Sequence, residues 1–265
     1  MIDRSEMVSV FRRLSLEAGE IVMKFYDSES FDIKLKADNS PVTAADKEAD
    51  THISRGILEY FSNVPLVTEE QVQTHTSKYK SFIIVDPLDG TKEFINRNGD
   101  FTVNIAYVEN GEPIVGVVYA PAKKRLFYTL STSNAVEEYY PFDKNIAGEI
   151  KLLKPRVPDN DNLIMVASKS HQNQETKDYI SKYNISTLKG AGSSLKFCLL
   201  ASGEADIYPR LGRTMEWDTA AGQAILNSAG GKVVKFKDHS AMLYGKTSYE
   251  NPFFVAYVPG VKLRA

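Results

Sequence analysis

The chain is poor in the residues that build several familiar kinds of site. Its 265 residues include one cysteine, Cys198, and four histidines, His52, His75, His171 and His239. A single cysteine excludes an internal disulfide and any multi-cysteine zinc site, and no two histidines stand at zinc-ligand spacing. No apolar run approaches the roughly 20 residues needed to cross a bilayer. The polar start Met1-Ile2-Asp3-Arg4-Ser5-Glu6 predicts no signal peptide. Charge of one sign is lacking as well. The 32 basic and 34 acidic side chains leave a net charge of −2, which argues against broad nucleic-acid binding while leaving room for a local basic pocket. Repeats and low-complexity linkers are absent. The expectation is a soluble cytoplasmic protein, long enough to bury about three-quarters of its unfolded surface without a structural metal.

Several phosphate-handling motifs are missing too. Cys198 lacks the arginine six positions on that a cysteine phosphatase loop needs, since Glu204 stands there. Gly245-Lys246-Thr247 lacks the upstream glycine of a P-loop, because position 240 is Ser240. Gly190-x-Gly192 misses the third glycine of a dinucleotide fingerprint, with Leu195 in its place. The aspartates at 86 and 89 are spaced Asp-x-x-Asp, whereas aspartyl-phosphate phosphatases need Asp-x-Asp.

What is present begins with a helical stripe. Met7, Val10, Phe11, Leu14, Ala18, Ile21, Val22 and Phe25 recur at spacings of three and four, predicting a first helix of about five turns. Asp38-Asn39-Ser40-Pro41 reads as a turn, and a second helix is expected from Thr43 to about Ser62-Asn63. Strands are predicted at 65–68, at 82–85 ending against Asp86-Pro87, at 102–108 and 113–119 around a Glu109-Asn110-Gly111-Glu112 hairpin, and at 126–129. Beyond Asn145 the pattern becomes α/β. Strands are expected at 163–167, 185–188, 206–208 and 253–257, and helices at 174–183, after Gly190–Ser194, and at 219–229 closed by Gly230-Gly231. The chain thus divides into expected halves, 1–155 and 156–265.

The strongest chemical signal is Asp86-Pro87-Leu88-Asp89-Gly90-Thr91, directly after an apolar strand. A turn there would aim two carboxylates and the Leu88 carbonyl at one point, as a hard cation such as Mg²⁺ requires. Asp89-Gly90 is equally compatible with an ordinary surface turn. Glu69-Glu70 reads either as a ligand pair or as a solvated strand end. Thr43-x-x-Asp46 is also a capping-box pattern, and Asp218, in Trp217-Asp218-Thr219-Ala220-Ala221-Gly222, could cap a helix. Together these places put five acids at strand ends and helix starts, where α/β folds locate ligand sites.

These four segments, in this order, resemble the signatures of the inositol monophosphatase superfamily. The extensions Lys92–Gly99 and Gly192–Cys198 are similar to its 3'(2'),5'-bisphosphate nucleotidase branch. The resemblance implies an α/β (α+β) fold, a layered αβαβα sandwich of the inositol monophosphatase and fructose-1,6-bisphosphatase type. It implies a Mg²⁺-dependent phosphatase binding two or three ions through Glu69, Asp86, the Leu88 carbonyl, Asp89 and Asp218. Asp46 and Thr91, with Glu69, would orient and deprotonate the attacking water, and the backbone around Gly90-Thr91 would take the scissile phosphate. Members of that branch hydrolyse 3'-phosphoadenosine 5'-phosphate to AMP and phosphate, a step linked to sulfate assimilation, and are inhibited by lithium.

For the second phosphate, the resemblance points to Ser193, Ser194, Lys196 and Arg210, with His171 near the nucleotide. Lys196 is also readable as an exposed lysine on an amphipathic helix, and Arg210 as a surface charge. The implied partner is a small nucleotide bisphosphate, with no nucleic acid and no integral membrane segment. A monomer is expected, with a homodimer as the alternative. Peripheral attachment at the cytoplasmic side of the inner membrane is the alternative location. An inositol or sugar phosphatase on the same fold, and a non-catalytic phosphometabolite sensor, are the competing functions.

Overall fold

A computed structural model describes residues 3–28, 33–35, 41–76, 78–168 and 173–264. The apolar stripe forms α1 (Arg4–Tyr26), opened by the Asp3 carboxylate, which accepts the Ser5 N–H at 2.8 Å. A short antiparallel pair, β1 (Ile33–Leu35) and β2 (Pro41–Thr43), leads into α2 (Ala44–Phe61). Most of the expected 38–41 turn lies outside the described residues. Next come β3 (Leu66–Thr68), β4 (Phe82–Asp89) and the single-turn α3 (Thr91–Ile95).

The chain then meanders through β5 (Thr102–Glu109), β6 (Glu112–Ala120), β7 (Arg125–Ser131), β8 (Asn134–Glu138) and β9 (Ile150–Leu152). Asn110 and Gly111, with φ of 52° and 83°, make the tight turn of the β5–β6 hairpin. The sheet order is β3-β4-β5-β6-β7-β8-β9, antiparallel except for the parallel β3–β4 pair. The remainder of the chain is β10 (Leu163–Ser168), α4 (Gln174–Ile180), β11 (Ile185–Ala191), α5 (Leu195–Ala201), β12 (Ile207–Arg210), α6 (Ala220–Ser228), β13 (Lys232–Lys235) and β14 (Phe254–Tyr257). Its strands form a second sheet in the order β11-β10-β12-β14-β13.

The layers follow from which apolar faces meet. α1 and α2 pack on one face of the large sheet. α5 and α6 fill the space between the two sheets, where Phe197 of α5 stacks on Phe254 of β14 at 5.7 Å. α4 lies against β12. This is the αβαβα order that the resemblance implies. No helix among the described residues is long and apolar enough to cross a membrane.

Three expectations change. β4 does not stop at Asp86-Pro87 but continues to Asp89. Proline is tolerated there because β3 ends opposite Val85, so no strand of the sheet is left to receive its missing N–H on that side. Gly190 and Ala191 end β11 rather than opening a helix, and α5 begins only at Leu195. β1, β2, β8, β9 and β13 form without having been predicted.

Candidate active site

The strand irregularity builds the site. In a regular strand, residues three apart point to opposite faces. Here Asp86 pairs with Asn104 and Asp89 with Thr102, so Pro87 and Leu88 together face Val103 alone. The extra residue turns Asp86 and Asp89 to the same side. Gly90 then takes φ 93°, a left-handed conformation that costs glycine little, and α3 starts at Thr91. The Leu88 N–H donates to Asp86 Oδ1 at 3.1 Å, and Thr91 Oγ1 lies 3.4 Å from the Leu88 carbonyl oxygen.

Asp218 arrives from the other half of the chain, just before α6. Its Oδ2 accepts the Met215 N–H at 2.7 Å, fixing the carboxylate within its own loop. Asp86, Asp89 and Asp218 each offer an oxygen, and the three oxygens lie within 4.8 Å of one another. Glu69 lines the same cleft from the end of β3, and Asp46 is fully buried in the first turn of α2. The Trp217 ring stacks on His75 at 4.8 Å, joining the Asp218 loop to the segment that follows Glu69.

The electrostatics are unusual for acids. Burial, then the like charges of Glu69, Asp89, Asp218 and Asp46, push the Asp86 carboxyl well above its ordinary value. Asp218 is raised by burial, then by Asp89 and Glu69. Asp89 is pushed up to about 6, chiefly by burial, against the pull of Lys196 and of hydrogen bonds from Asn104 and Ser194. A set of converging oxygen donors with no nitrogen or sulfur fits a hard divalent cation of the Mg²⁺ kind.

Positive groups stand along the same cleft, of about 310 Å³. Lys196 is 4% exposed, so it is not the solvated helix lysine its sequence position also allowed. Its ammonium donates to the Ser193 carbonyl at 2.6 Å and sits 5.2 Å from the Tyr208 ring centre. Burial lowers it to about 8, opposed by Asp89. Arg210 is half-buried in the cleft wall and donates through Nη2 to the Arg213 carbonyl at 3.0 Å. Its buried Nε and the buried Ser193 Oγ have no hydrogen-bond partner among the described residues.

Gly192 permits this arrangement, since a Cβ there would fall 2.5 Å from the Asp100 carbonyl oxygen. Ser194, expected to touch substrate, is instead 1% exposed and fully engaged within the protein. Its N–H donates to Asp89 Oδ2 at 2.6 Å and its hydroxyl to the Asp218 carbonyl at 2.6 Å. His171 lies outside the described residues.

The sequence reading missed Asn104, which sits on β5 beneath Asp89. A lone amide in an otherwise apolar strand, Val103-Asn104-Ile105-Ala106, was the available signal.

Comparison with known proteins agrees with this geometry. Residues 3–255 match the profile of the inositol monophosphatase family. The 3'(2'),5'-bisphosphate nucleotidase CysQ of Escherichia coli K12 is 41% identical over 248 residues, covering 91% of this chain and 96% of that protein. CysQ of Buchnera aphidicola is 40% identical over 231 residues, 86% of this chain and 84% of the relative. The crystal structure of CysQ from Bacteroides thetaiotaomicron superposes with a TM-score of 0.81 at 36% identity, covering 96% of this chain and 97% of that one. An inositol monophosphatase from Anabaena, at 21% identity, shares the fold with a TM-score of 0.73 over 97% of this chain and 91% of its own. With the acidic cluster, the layered fold and a profile match over nearly its whole length, this chain belongs to the inositol monophosphatase family.

Proposed function

We propose that the chain is a Mg²⁺-dependent 3'(2'),5'-bisphosphate nucleotidase, converting 3'-phosphoadenosine 5'-phosphate to AMP and phosphate. One observation carries this reading beyond a general phosphatase. The cleft that holds the carboxylates also holds a buried cation, Lys196, together with a hydroxyl and a guanidinium N–H that have no partners among the described residues. Buried donors of this kind cost about 1–3 kcal/mol each when unmet, and a second phosphate meets them. We assign that phosphate to Ser193, Lys196 and Arg210.

Glu69, Asp86, the Leu88 carbonyl, Asp89 and Asp218 would hold the metal. Divalent cations bound there supply the positive charge that offsets a phosphate dianion and its transition state. The chain's own residues do the rest. The Gly90-Thr91 backbone seats the scissile phosphate, and Asp46 with Thr91 orients a water molecule in line with the leaving oxygen. Asp46 accepts the water proton as the new P–O bond forms and the bond to the ribose 3' oxygen breaks. A protein that only bound phosphometabolites would have no use for such a pair.

The test is a phosphate-release panel across nucleotide, inositol and sugar phosphates, with Mg²⁺ present or chelated. The adenosine bisphosphate is expected to be the fastest substrate, with activity lost on chelation. Lys196→Ala or Arg210→Ala should weaken the bisphosphate by about 1.5–3 kcal/mol in KM while affecting a monophosphate less. Faster release from inositol phosphate would transfer the assignment to an inositol monophosphatase. No release from any substrate would point to a sensor.

A further inference from the structure

Asp89, at the end of β4, and Asp218, in the loop before α6, stand more than a hundred residues apart in the chain, yet their carboxylates share one cluster. Two side chains connect them. Asn104 of β5 is 1% exposed, and its Nδ2 lies 3.2 Å from Asp89 Oδ2 and 3.0 Å from Ser194 Oγ. Ser194, just before α5, donates a hydrogen bond from its hydroxyl to the Asp218 carbonyl and another from its N–H to the same Asp89 oxygen. Of the four hydrogen bonds, those from Asn104 Nδ2 to Ser194 Oγ and from the Ser194 N–H to Asp89 cross from one half of the molecule to the other, and Asn104 and Ser194 are both buried.

We propose that Asn104 and Ser194 form a bracket that sets the position of Asp89 against Asp218, and that they are positioning residues for the divalent-cation site. The inference rests on the metal-site reading above. Its physical basis is that Asp89 Oδ2 accepts two N–H donors, which fix that oxygen. The Ser194 hydroxyl holds the main chain of Asp218 at the same time. Without the Asn104 amide, Asp89 Oδ2 keeps only the Ser194 N–H. Without the Ser194 hydroxyl, the Asp218 main chain loses its hydrogen-bonded link through Asn104 to the first sheet. The bracket acts as a unit, because Ser194 Oγ is both an acceptor from Asn104 and a donor to Asp218.

The experiment is a Mn²⁺ titration of the full-length protein without substrate, followed by electron paramagnetic resonance, with Mg²⁺ as competitor. Asn104→Ala, Ser194→Ala, the double variant and Asp89→Asn are compared, each with its metal-free melting temperature. Loss of partners that orient metal ligands costs about 10–100-fold in affinity. Each single variant should weaken Mn²⁺ binding by that factor, and the double variant by no more than about threefold beyond the weaker single one, as expected for coupled residues. Unchanged affinity in folded Ser194→Ala overturns the proposal, even if melting temperature falls, and so do fully additive losses. Should Asn104→Ala fail to fold, Ser194→Ala decides alone. Asp89→Asn separates the two claims. If it binds Mn²⁺ like the parent, the metal-site reading fails. If it loses binding while the bracket variants keep it, only the bracket fails.

Discussion

Two buried charged clusters in this molecule follow opposite rules. In the first, the Arg12 guanidinium forks onto Glu138 with two bonds of 2.6 Å, and also reaches the carbonyls of Asp143, Lys144 and Ile146. Glu138 further accepts from Tyr128 and from the Gly148 N–H. Burial alone would raise this carboxyl, but Arg12 and those donors hold it below its ordinary value. In the second cluster Asp86, Asp89 and Asp218 face one another, and burial raises all three, with repulsion from neighbouring acids adding to it. A charge satisfied by its neighbours serves the fold. Acids gathered with little cationic help are costly to the fold, and their use lies in what they can bind.

The largest test of that contrast lies on the functional side. Asp46→Asn should lower turnover by about 10²–10⁴, the usual range for losing a general base, while divalent-cation binding persists. Phosphate release and a parallel Mn²⁺ titration measure the two effects, and near-normal turnover would remove Asp46 from its role.

On the structural side, Glu138→Gln breaks a fully buried pair and should cost about 3–5 kcal/mol in urea unfolding, with turnover per folded molecule unchanged. A cost below about 1 kcal/mol, the range of exposed ion pairs, would show that the Arg12 contacts to main-chain carbonyls suffice by themselves.

The smallest effect distinguishes the clusters by the sign of their pH response. Asp89 has a folded-state pKa near 6 against an ordinary 3.8, so the folded, metal-free protein holds that proton more tightly than the unfolded chain. Its contribution is therefore present at acid pH and is lost as pH rises through about 6. Glu138 is lowered, so its contribution is present above its ordinary 4.5 and is lost as pH falls through its folded value. Melting curves in chelator should show Asp89→Asn more stable than the parent above pH 6 and little different near pH 4, with Mg²⁺ raising the parent and not the variant. A parent curve that Mg²⁺ leaves unmoved would place the cluster with Arg12–Glu138, as structure rather than site.

Much of the fold was legible because its signals are local. The α1 stripe and the Asn110-Gly111 turn depend on side chains within a few residues of one another. β9 gave no such signal. Ile150, Lys151 and Leu152 are all exposed, and they form a strand only because their backbone pairs with β8. Asp86 and Asp89 were recognisable as a pair, but their common direction comes from an irregularity that exists only against β5. Lys196 was ambiguous for the same reason, since only the packing of α5 between two sheets decides that its ammonium is buried.

The sequence by itself determined the longer helices and strands, the acidic segments and their order, since periodicity and turn chemistry act over a few residues. Tertiary structure alone decided that carboxylates from 86, 89 and 218 converge, that Lys196 shares their cleft and that Asn104 braces Asp89. Those relations are distances between segments far apart in the chain, and they are set by strand register and by the close packing of two sheets around α5 and α6.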